Sequence, residues 1–134
     1  MSDQQGMMPA AGAEATYFGF LRSGIWNIQQ CQTCNRWIFY PREYCPHCQS
    51  PELRWRAPTG LGTVYSMSRV FARDGKGPLV LLVDLDEGVR IMGGAAEDNN
   101  EGLTIGARVS ARLDNSGEES RILFVPMRGA QHEA

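Results

Sequence analysis

Four cysteines at regular spacing are the residues of this sequence that are best suited to chemistry. They form two Cys-x-x-Cys pairs, Cys31 with Cys34 and Cys45 with Cys48, and ten residues separate the pairs. Each pair directs two thiolates toward one ion, and four sulfurs at about 2.3 Å complete a tetrahedral zinc shell without an open position. The spacing therefore predicts a structural zinc ion that is held by all four cysteines.

Other uses of the same cysteines agree less well with the sequence. Two disulfides need an oxidising compartment, and the first residues have neither the basic region nor the apolar run of a secretory signal. A thioredoxin-like redox pair is a single motif that opens a helix after a strand, whereas this chain has two motifs. Iron of the rubredoxin type uses the same four thiolates, so the ligand set leaves iron open as the alternative to zinc. We expect His47, between two ligands, to be exposed because four cysteines already saturate the ion.

Such a metal cage limits what the rest of the chain can do. Structural zinc contributes about 10 to 16 kcal/mol to the folding of finger peptides, so the cysteine module should unfold when its metal is removed. No cysteine is left as a nucleophile, and the two histidines, His47 and His132, lie in the second knuckle and near the C-terminus. Asp84, Asp86 and Glu87 cluster at a strand end, where acidic residues commonly face water. We therefore expect no catalytic residue in this chain.

The composition is typical of a small soluble globular protein. Of 134 residues, 43% are hydrophobic and 21% are charged, and no apolar run approaches the roughly 20 residues that cross a bilayer. The formal net charge of -2 gives no electrostatic case for a nucleic-acid binder. Twelve of the 13 basic residues are arginine, which suits protein interfaces and phosphate groups. Without a secretory signal, we expect a cytoplasmic protein.

The sequence divides into two flexible tails, a helical segment and two β modules. We expect the tails at 1–13 and 128–134, the helical segment at 14–30, a zinc ribbon at 31–58 and a barrel at 59–127. The helical segment is too apolar to be left in water, and Ser23-Gly24 is typical of a helix end. Its large apolar side chains either pack on their own domain or dock on a partner protein; they are Tyr17, Phe18, Phe20 and Leu21.

Short strands separated by glycine-rich turns follow the cysteine module. Five are expected, and a longer acidic connection lies between the third and the fourth; they begin at Thr63, Leu79, Val89, Ala107 and Arg121. Strict alternation in the first strand places Tyr65 and Met67 on one face and Val64 on the other. In the second strand, one side is formed by Leu79, Leu81, Val83 and Leu85. The paired Gly93 and Gly94 in the third allow a bulge or a sharp bend.

These elements together predict a mostly β fold. An N-terminal helix comes first, a rubredoxin-like zinc ribbon follows, and a five-stranded OB-fold Greek-key barrel completes the chain.

The order of the motifs is more specific than any one of them. The stretches "CQTCNRW", "PREYCPHC", "TGLGTVYSMSRV" and "LDEG" follow one another between Tyr17 and Pro126. Over that range the sequence resembles the zinc-ribbon plus OB-fold family of acyl-CoA-associated proteins, long catalogued as a domain of unknown function. Asn35 stands where that family usually has glycine, and asparagine tolerates the same left-handed backbone. No hydratase domain follows the barrel, so a fused enzyme is not expected.

The resemblance implies a non-catalytic subunit of a thiolase-fold enzyme, such as a thiolase, a condensing enzyme or an aldolase. The helical segment, through Tyr17, Phe18, Phe20 and Leu21, and the ribbon would dock on the catalytic subunit. The barrel would help to form the channel for acyl-CoA, a ligand shared with the partner. The partner must supply the nucleophile and the base, because neither is free here.

Two hypotheses therefore remain, an accessory subunit and a nucleic-acid-binding module. For the first, we expect coenzyme A to contact Arg69, Arg73 and Lys76, because OB folds often meet ligands at this loop and phosphates need cations. OB barrels and zinc ribbons also bind nucleic acid, and arginines alternate with aromatic residues in the ribbon. A zinc ion with four thiolates adds about -2, however, and leaves that patch nearly neutral.

Overall fold

The structure is a computed structural model that describes residues 12–69, 78–96, 102–117 and 119–127. The expected tail 128–134, most of the expected tail 1–13 and most of the acidic connection lie outside the described residues.

One helix, α1 (Gly12–Arg22), precedes the strands in the described part of the chain. It begins at Gly12 rather than at residue 14, and it ends where Ser23-Gly24 predicts. Gly24 has a φ of 85°, and the N–H of Ile25 donates to the carbonyl of Phe20 at 2.9 Å. This is a Schellman ending, in which a left-handed glycine lets the chain turn back and satisfy the last carbonyls.

A three-stranded antiparallel sheet forms the ribbon. Its strands are β1 (Ile28–Cys31), β2 (Trp37–Ile38) and β3 (Leu53–Arg56), and β1 lies in the middle. The central strand therefore comes from the end of the segment 14–30 and delivers Cys31 to the first knuckle.

Five strands form the closed barrel. They are β4 (Leu61–Arg69), β5 (Leu79–Leu85), β6 (Arg90–Ala95), β7 (Arg108–Asp114) and β8 (Arg121–Pro126), in the order β4-β5-β6-β8-β7. Pairing of β4 with β7 closes the barrel, and β6 pairs with β8 in parallel. The predicted fold class, a helix followed by a zinc ribbon and an OB-fold barrel, is confirmed.

A bulge in β4 contradicts the strict alternation that was predicted there. Val64 pairs with Val83 and Ser66 pairs with Leu82, so two residues of β4 advance the pairing by only one residue of β5. Tyr65 is the extra residue and is 51% exposed, whereas Val64 is buried and Met67 packs against the core. The inserted residue reverses the faces beyond it, so Val64 and Met67 face the interior together.

The barrel and α1 share one hydrophobic core. Its buried members include three of the four predicted residues of β5 and also two residues of α1, whereas Leu79 is partly buried and packs against the core. Among the buried members are Tyr17, Leu21, Ile28, Val64, Leu81, Val83, Leu85, Ile91, Val109 and Phe124. A second, smaller cluster consists of Cys31, Ile38 and Cys45. Tyr17 and Leu21 therefore pack on their own domain, which is one of the two alternatives for the helical segment.

The paired glycines of β6 serve close packing rather than a bulge. β6 pairs with β5 without a register shift from Arg90 to Gly94. A Cβ on Gly93 would lie 2.7 Å from Cε2 of Phe124 and 3.0 Å from the carbonyl oxygen of Ile122. The ring of Phe124 thus occupies the space that any other side chain would need.

Substituting Gly93→Ala should lower the free energy of unfolding by about 1 to 3 kcal/mol, because the new methyl group overpacks the core against Phe124. Urea unfolding measures the change. Gly117→Ala is the matched control, since among the described residues no atom outside its chain neighbours lies within 4 Å of its Cβ position, and its φ is not in the left-handed region. Equal stabilities of the two variants would show that the barrel tolerates a side chain at position 93.

Candidate metal centre and neighbouring surfaces

The four cysteine sulfurs meet at one point of the ribbon. All four Sγ atoms lie within 4.8 Å of one another. The Sγ atoms of Cys31 and Cys48 are 3.6 Å apart, and those of Cys34 and Cys45 are 3.7 Å apart. A tetrahedron with bonds of about 2.3 Å has sulfur–sulfur edges of about 3.8 Å. The sulfur positions therefore fit a single tetrahedral ion, as in a zinc ribbon.

The two knuckles have the same backbone geometry. The N–H of Asn35 donates to the carbonyl of Cys31 at 2.9 Å, and the N–H of Gln49 donates to that of Cys45 at 2.8 Å. Both donors are left-handed, with φ of 66° at Asn35 and 69° at Gln49. The prediction for Asn35 is confirmed. Gln49 was missed, although it follows the second Cys-x-x-Cys pair as Asn35 follows the first.

Backbone amides point at the first sulfur of each knuckle. The Sγ of Cys31 accepts from the N–H of Thr33 at 3.3 Å and of Cys34 at 3.4 Å, and the Sγ of Cys45 accepts from the N–H of His47 at 3.3 Å. The N–H of Cys34 is the main cause that lowers the pKa of Cys31 to about 6. The knuckle therefore favours the thiolate, which is the form that binds a metal.

The fourth thiol shows why a cation is needed. The N–H of Ser50 favours the Cys48 thiolate, but burial and hydrogen bonds with the other three cysteines outweigh it and raise the pKa of Cys48 to about 12. Four adjacent thiolates repel one another unless a positive ion lies between them. The donor set thus fits a divalent ion, and zinc would hold the two knuckles together.

His47 is exposed, as predicted. Its Nδ1 lies 3.0 Å from Nη1 of Arg36, across the two knuckles. The ring thus interacts with the first knuckle, and the four sulfurs need no fifth ligand.

Two buried glutamines of β1 hold the loops around this centre. The amide of Gln29 donates to the carbonyl of Arg42 and accepts from its N–H, both at 2.7 Å. Gln30 donates to the carbonyl of Asn35 at 3.0 Å and accepts from Nη1 of Arg56 at 2.6 Å. Sequence reasoning missed both, because no local pattern distinguishes a buried glutamine from one that faces water.

The acidic cluster at the end of β5 consists of separately paired groups. Asp84 accepts from Arg90 at 2.7 Å, and Asp86 accepts from Arg108 at 2.8 and 2.9 Å. The hydrogen bond from Arg108 lowers the pKa of Asp86. Oε2 of Glu87 accepts from a backbone N–H at 2.7 Å. These carboxylates therefore stabilise turns and strands, and they do not form an acid–base pair.

The predicted coenzyme A contacts are only partly described. Arg69 is exposed at the end of β4, opposite Leu79 at the start of β5. Arg73 and Lys76 lie outside the described residues.

The predicted docking residues of α1 need a correction. Tyr17 is 5% exposed and Leu21 is 1% exposed, so both are packed into the core and offer little surface to a partner. Phe20 packs on Trp55 with ring centroids 5.6 Å apart, and Phe18 packs edge-on against Tyr17 at 5.1 Å. Only Phe18 and Phe20 keep partly exposed surface.

The described part of the chain contains no helix with the length and apolar character of a membrane span.

Comparison with known proteins assigns the two modules separately. Residues 20–54 match the rubredoxin-like zinc ribbon domain of ChsH2, and residues 55–114 match the C-terminal OB-fold domain of ChsH2. A DUF35 domain-containing scaffold protein from Methanocaldococcus jannaschii is 30% identical over 104 residues, which cover 71% of this chain and 74% of that protein.

Solved structures share the fold. The Ltp2-ChsH2(DUF35) aldolase superposes with a TM-score of 0.71 at 22% identity, over 94% of this chain and 98% of that one. A DUF35-family protein of unknown function from Sulfolobus solfataricus gives a TM-score of 0.53 at 17% identity, over 72% of this chain and 74% of that one.

Removing the metal with a chelator should unfold the knuckles and leave the barrel folded. The N–H groups of Cys31 and Cys45 bond to the carbonyls of Arg36 and Ser50 inside the knuckles, whereas the barrel has its own core. Hydrogen exchange should show lost protection at Cys31 and Cys45 and retained protection at Val83, the internal control. Metal analysis should give one zinc per chain before treatment. Unchanged exchange at both cysteines would contradict a structural metal.

Proposed function

This chain belongs to the DUF35 family, whose members join a zinc ribbon to an OB-fold barrel, and we propose that it is a non-catalytic subunit of a thiolase-fold enzyme. The catalytic subunit would be an acyl-CoA thiolase or a related aldolase or condensing enzyme. This chain would dock on it and help to form the acyl-CoA channel. The complex would be cytoplasmic, where thiols stay reduced and available to zinc.

The names of two similar proteins support a partner role. The relative from Methanocaldococcus jannaschii is described as a scaffold protein, and a DUF35 chain occurs in the Ltp2-ChsH2 aldolase. Both names are consistent with a chain that works together with another protein.

The use of all four cysteines in one cage is the observation that carries the proposal. Thiolase chemistry needs a nucleophilic cysteine and a base. The four cysteine sulfurs of this chain lie within 4.8 Å of one another, and a zinc ion would occupy all of them. Among the described residues, the carboxylates at the end of β5 are bonded to arginines or to a backbone amide. The reaction would therefore take place on the partner.

Purification of the tagged full-length chain from its own cells should yield a stoichiometric complex with a thiolase-fold protein. The isolated chain should have no thiolase, aldolase or condensing activity, whereas the complex should turn over an acyl-CoA substrate. Mass spectrometry identifies the partner, and size-exclusion chromatography with light scattering gives the stoichiometry.

A different result would contradict the proposed function. A monomer that ignores thiolase-fold proteins but binds a single-stranded oligonucleotide with a steep salt dependence would make the chain a nucleic-acid-binding module.

Charge reversal at Arg69, Arg73 and Lys76 should weaken acyl-CoA binding to the complex by at least about tenfold, because hydrogen bonds to ionised phosphates are among the strongest in proteins. Titration calorimetry of the complex with acetyl-CoA measures this affinity. Arg54→Glu, at an exposed position of β3, is the control and should bind acetyl-CoA as the wild type does. Unchanged affinity of the triple variant would remove these three residues from the coenzyme A site.

A further inference from the structure

The outer face of strands β5 and β6 carries an apolar pair of side chains. Leu81, Val83 and Ile91 point into the core, so their neighbours along the strands point outward. Those neighbours include Leu82 and Met92, which pair directly across the two strands. Met92 is 61% exposed. This is the face with which OB folds bind oligonucleotides, but here it presents aliphatic surface.

A groove of about 810 Å³ runs between this face and the first part of the chain. Phe18 of α1 and the loop Phe39–Arg42 form one wall, and β5, β6 and residues 119–123 at the start of β8 form the other. Gly93 and Gly94 line the groove without side chains. The hydrogen bonds between Gln29 and Arg42 hold the loop in place, so the groove is formed before anything binds.

The residues around the groove have the composition of a protein interface. Interface centres are enriched in aromatic residues, methionine and arginine. Phe18, Phe39, Tyr40, Arg42 and Met92 all line the groove. Several of these are partly exposed, as expected for a surface that another chain covers and not for a pocket that encloses a small molecule.

The charges around the groove nearly balance and therefore disfavour a nucleic acid. The exposed Glu119 lines the groove together with three arginines, two of which are paired, so Arg42 is left to meet a single carboxylate. Arg90 is already bonded to Asp84 at 2.7 Å and lies 3.5 Å from the ring centroid of Tyr65. Arg121 is paired with Asp114 at 2.9 Å. The exposed guanidinium of Arg42 has no carboxylate partner in the described ranges of the chain.

We propose that this groove is the docking surface for the catalytic subunit, and that its occupant is an apolar segment of that subunit with a carboxylate opposite Arg42. The inference rests on the proposed function and moves the contact from the buried side of α1 to the outer face of the barrel. Leu82 and Met92 supply the apolar contact, and Phe18 and Tyr40 border it.

The test uses the catalytic subunit that co-purifies with the wild-type chain, and biolayer interferometry measures its affinity for variants of the full chain. Leu82→Asp and Met92→Asp should each weaken binding by about 30-fold or more, as expected for central interface residues. Arg42→Glu should weaken binding and reduce its salt dependence, whereas Arg42→Lys should keep most of that dependence. Ile105→Asp is the matched control, because Ile105 is 66% exposed and does not line the groove.

Photo-crosslinking gives an independent readout of the occupant. A benzoylphenylalanine at position 92 should crosslink to an apolar segment of the catalytic subunit that contains aspartate or glutamate, and the same group at position 105 should not. Metal content and circular dichroism of each variant show that it is folded.

The binding results distinguish a wrong docking surface from a wrong proposed function. If Leu82→Asp and Met92→Asp bind the catalytic subunit as tightly as the wild type, the groove is not the docking surface, although the proposed function stands. A wild-type dimer that Met92→Asp converts to a monomer would assign the groove to a second copy. Octanoyl-CoA binding to the free chain that Met92→Asp weakens would assign it to the acyl ligand. The absence of any complex between the wild-type chain and a thiolase-fold protein would overturn both the groove and the proposed function.

Discussion

Four sulfur atoms lie within 4.8 Å of one another, and this arrangement is stable as thiolates only around a cation. The knuckles depend on that requirement, because their short loops have little apolar surface of their own. Strand β1 links the metal centre to the loops around it and to the barrel. Cys31 at its end reaches the metal centre, Gln29 and Gln30 bond to loops on either side, and Ile28 at its start lies in the barrel core. Four consecutive residues thus connect the metal centre to the rest of the protein.

Closure of the barrel limits the surfaces that can contact other molecules. Pairing of β4 with β7 and of β6 with β8 removes from the barrel the free strand edges on which many β proteins bind peptides. The faces of the strands and the loops therefore carry recognition. Because α1 packs Tyr17 and Leu21 into the shared core, the helix forms a wall of the groove and leaves the outer face of β5 and β6 open.

Much of the fold could be predicted from local patterns. The end of α1 just before Ser23-Gly24, the five barrel strands, the inward side of β5 and the left-handed Asn35 all follow from short-range rules. The failures share a cause, since each depends on a residue distant in sequence. The bulge at Tyr65 is visible only in the pairing of β4 with β5. The role of Gly93 depends on Phe124, and that of Gln29 depends on Arg42.

The sequence by itself predicted a four-cysteine metal site with no thiol outside it, because two Cys-x-x-Cys pairs contain every cysteine and their spacing suits a tetrahedral ion. It also determined the class of fold, through strand periodicity and turn residues. Only the tertiary structure decided which apolar residues are available to a partner. A large apolar residue has the same local pattern whether it enters a core or faces solvent. In the folded protein, Tyr17 of α1 is buried and Met92 of β6 is exposed.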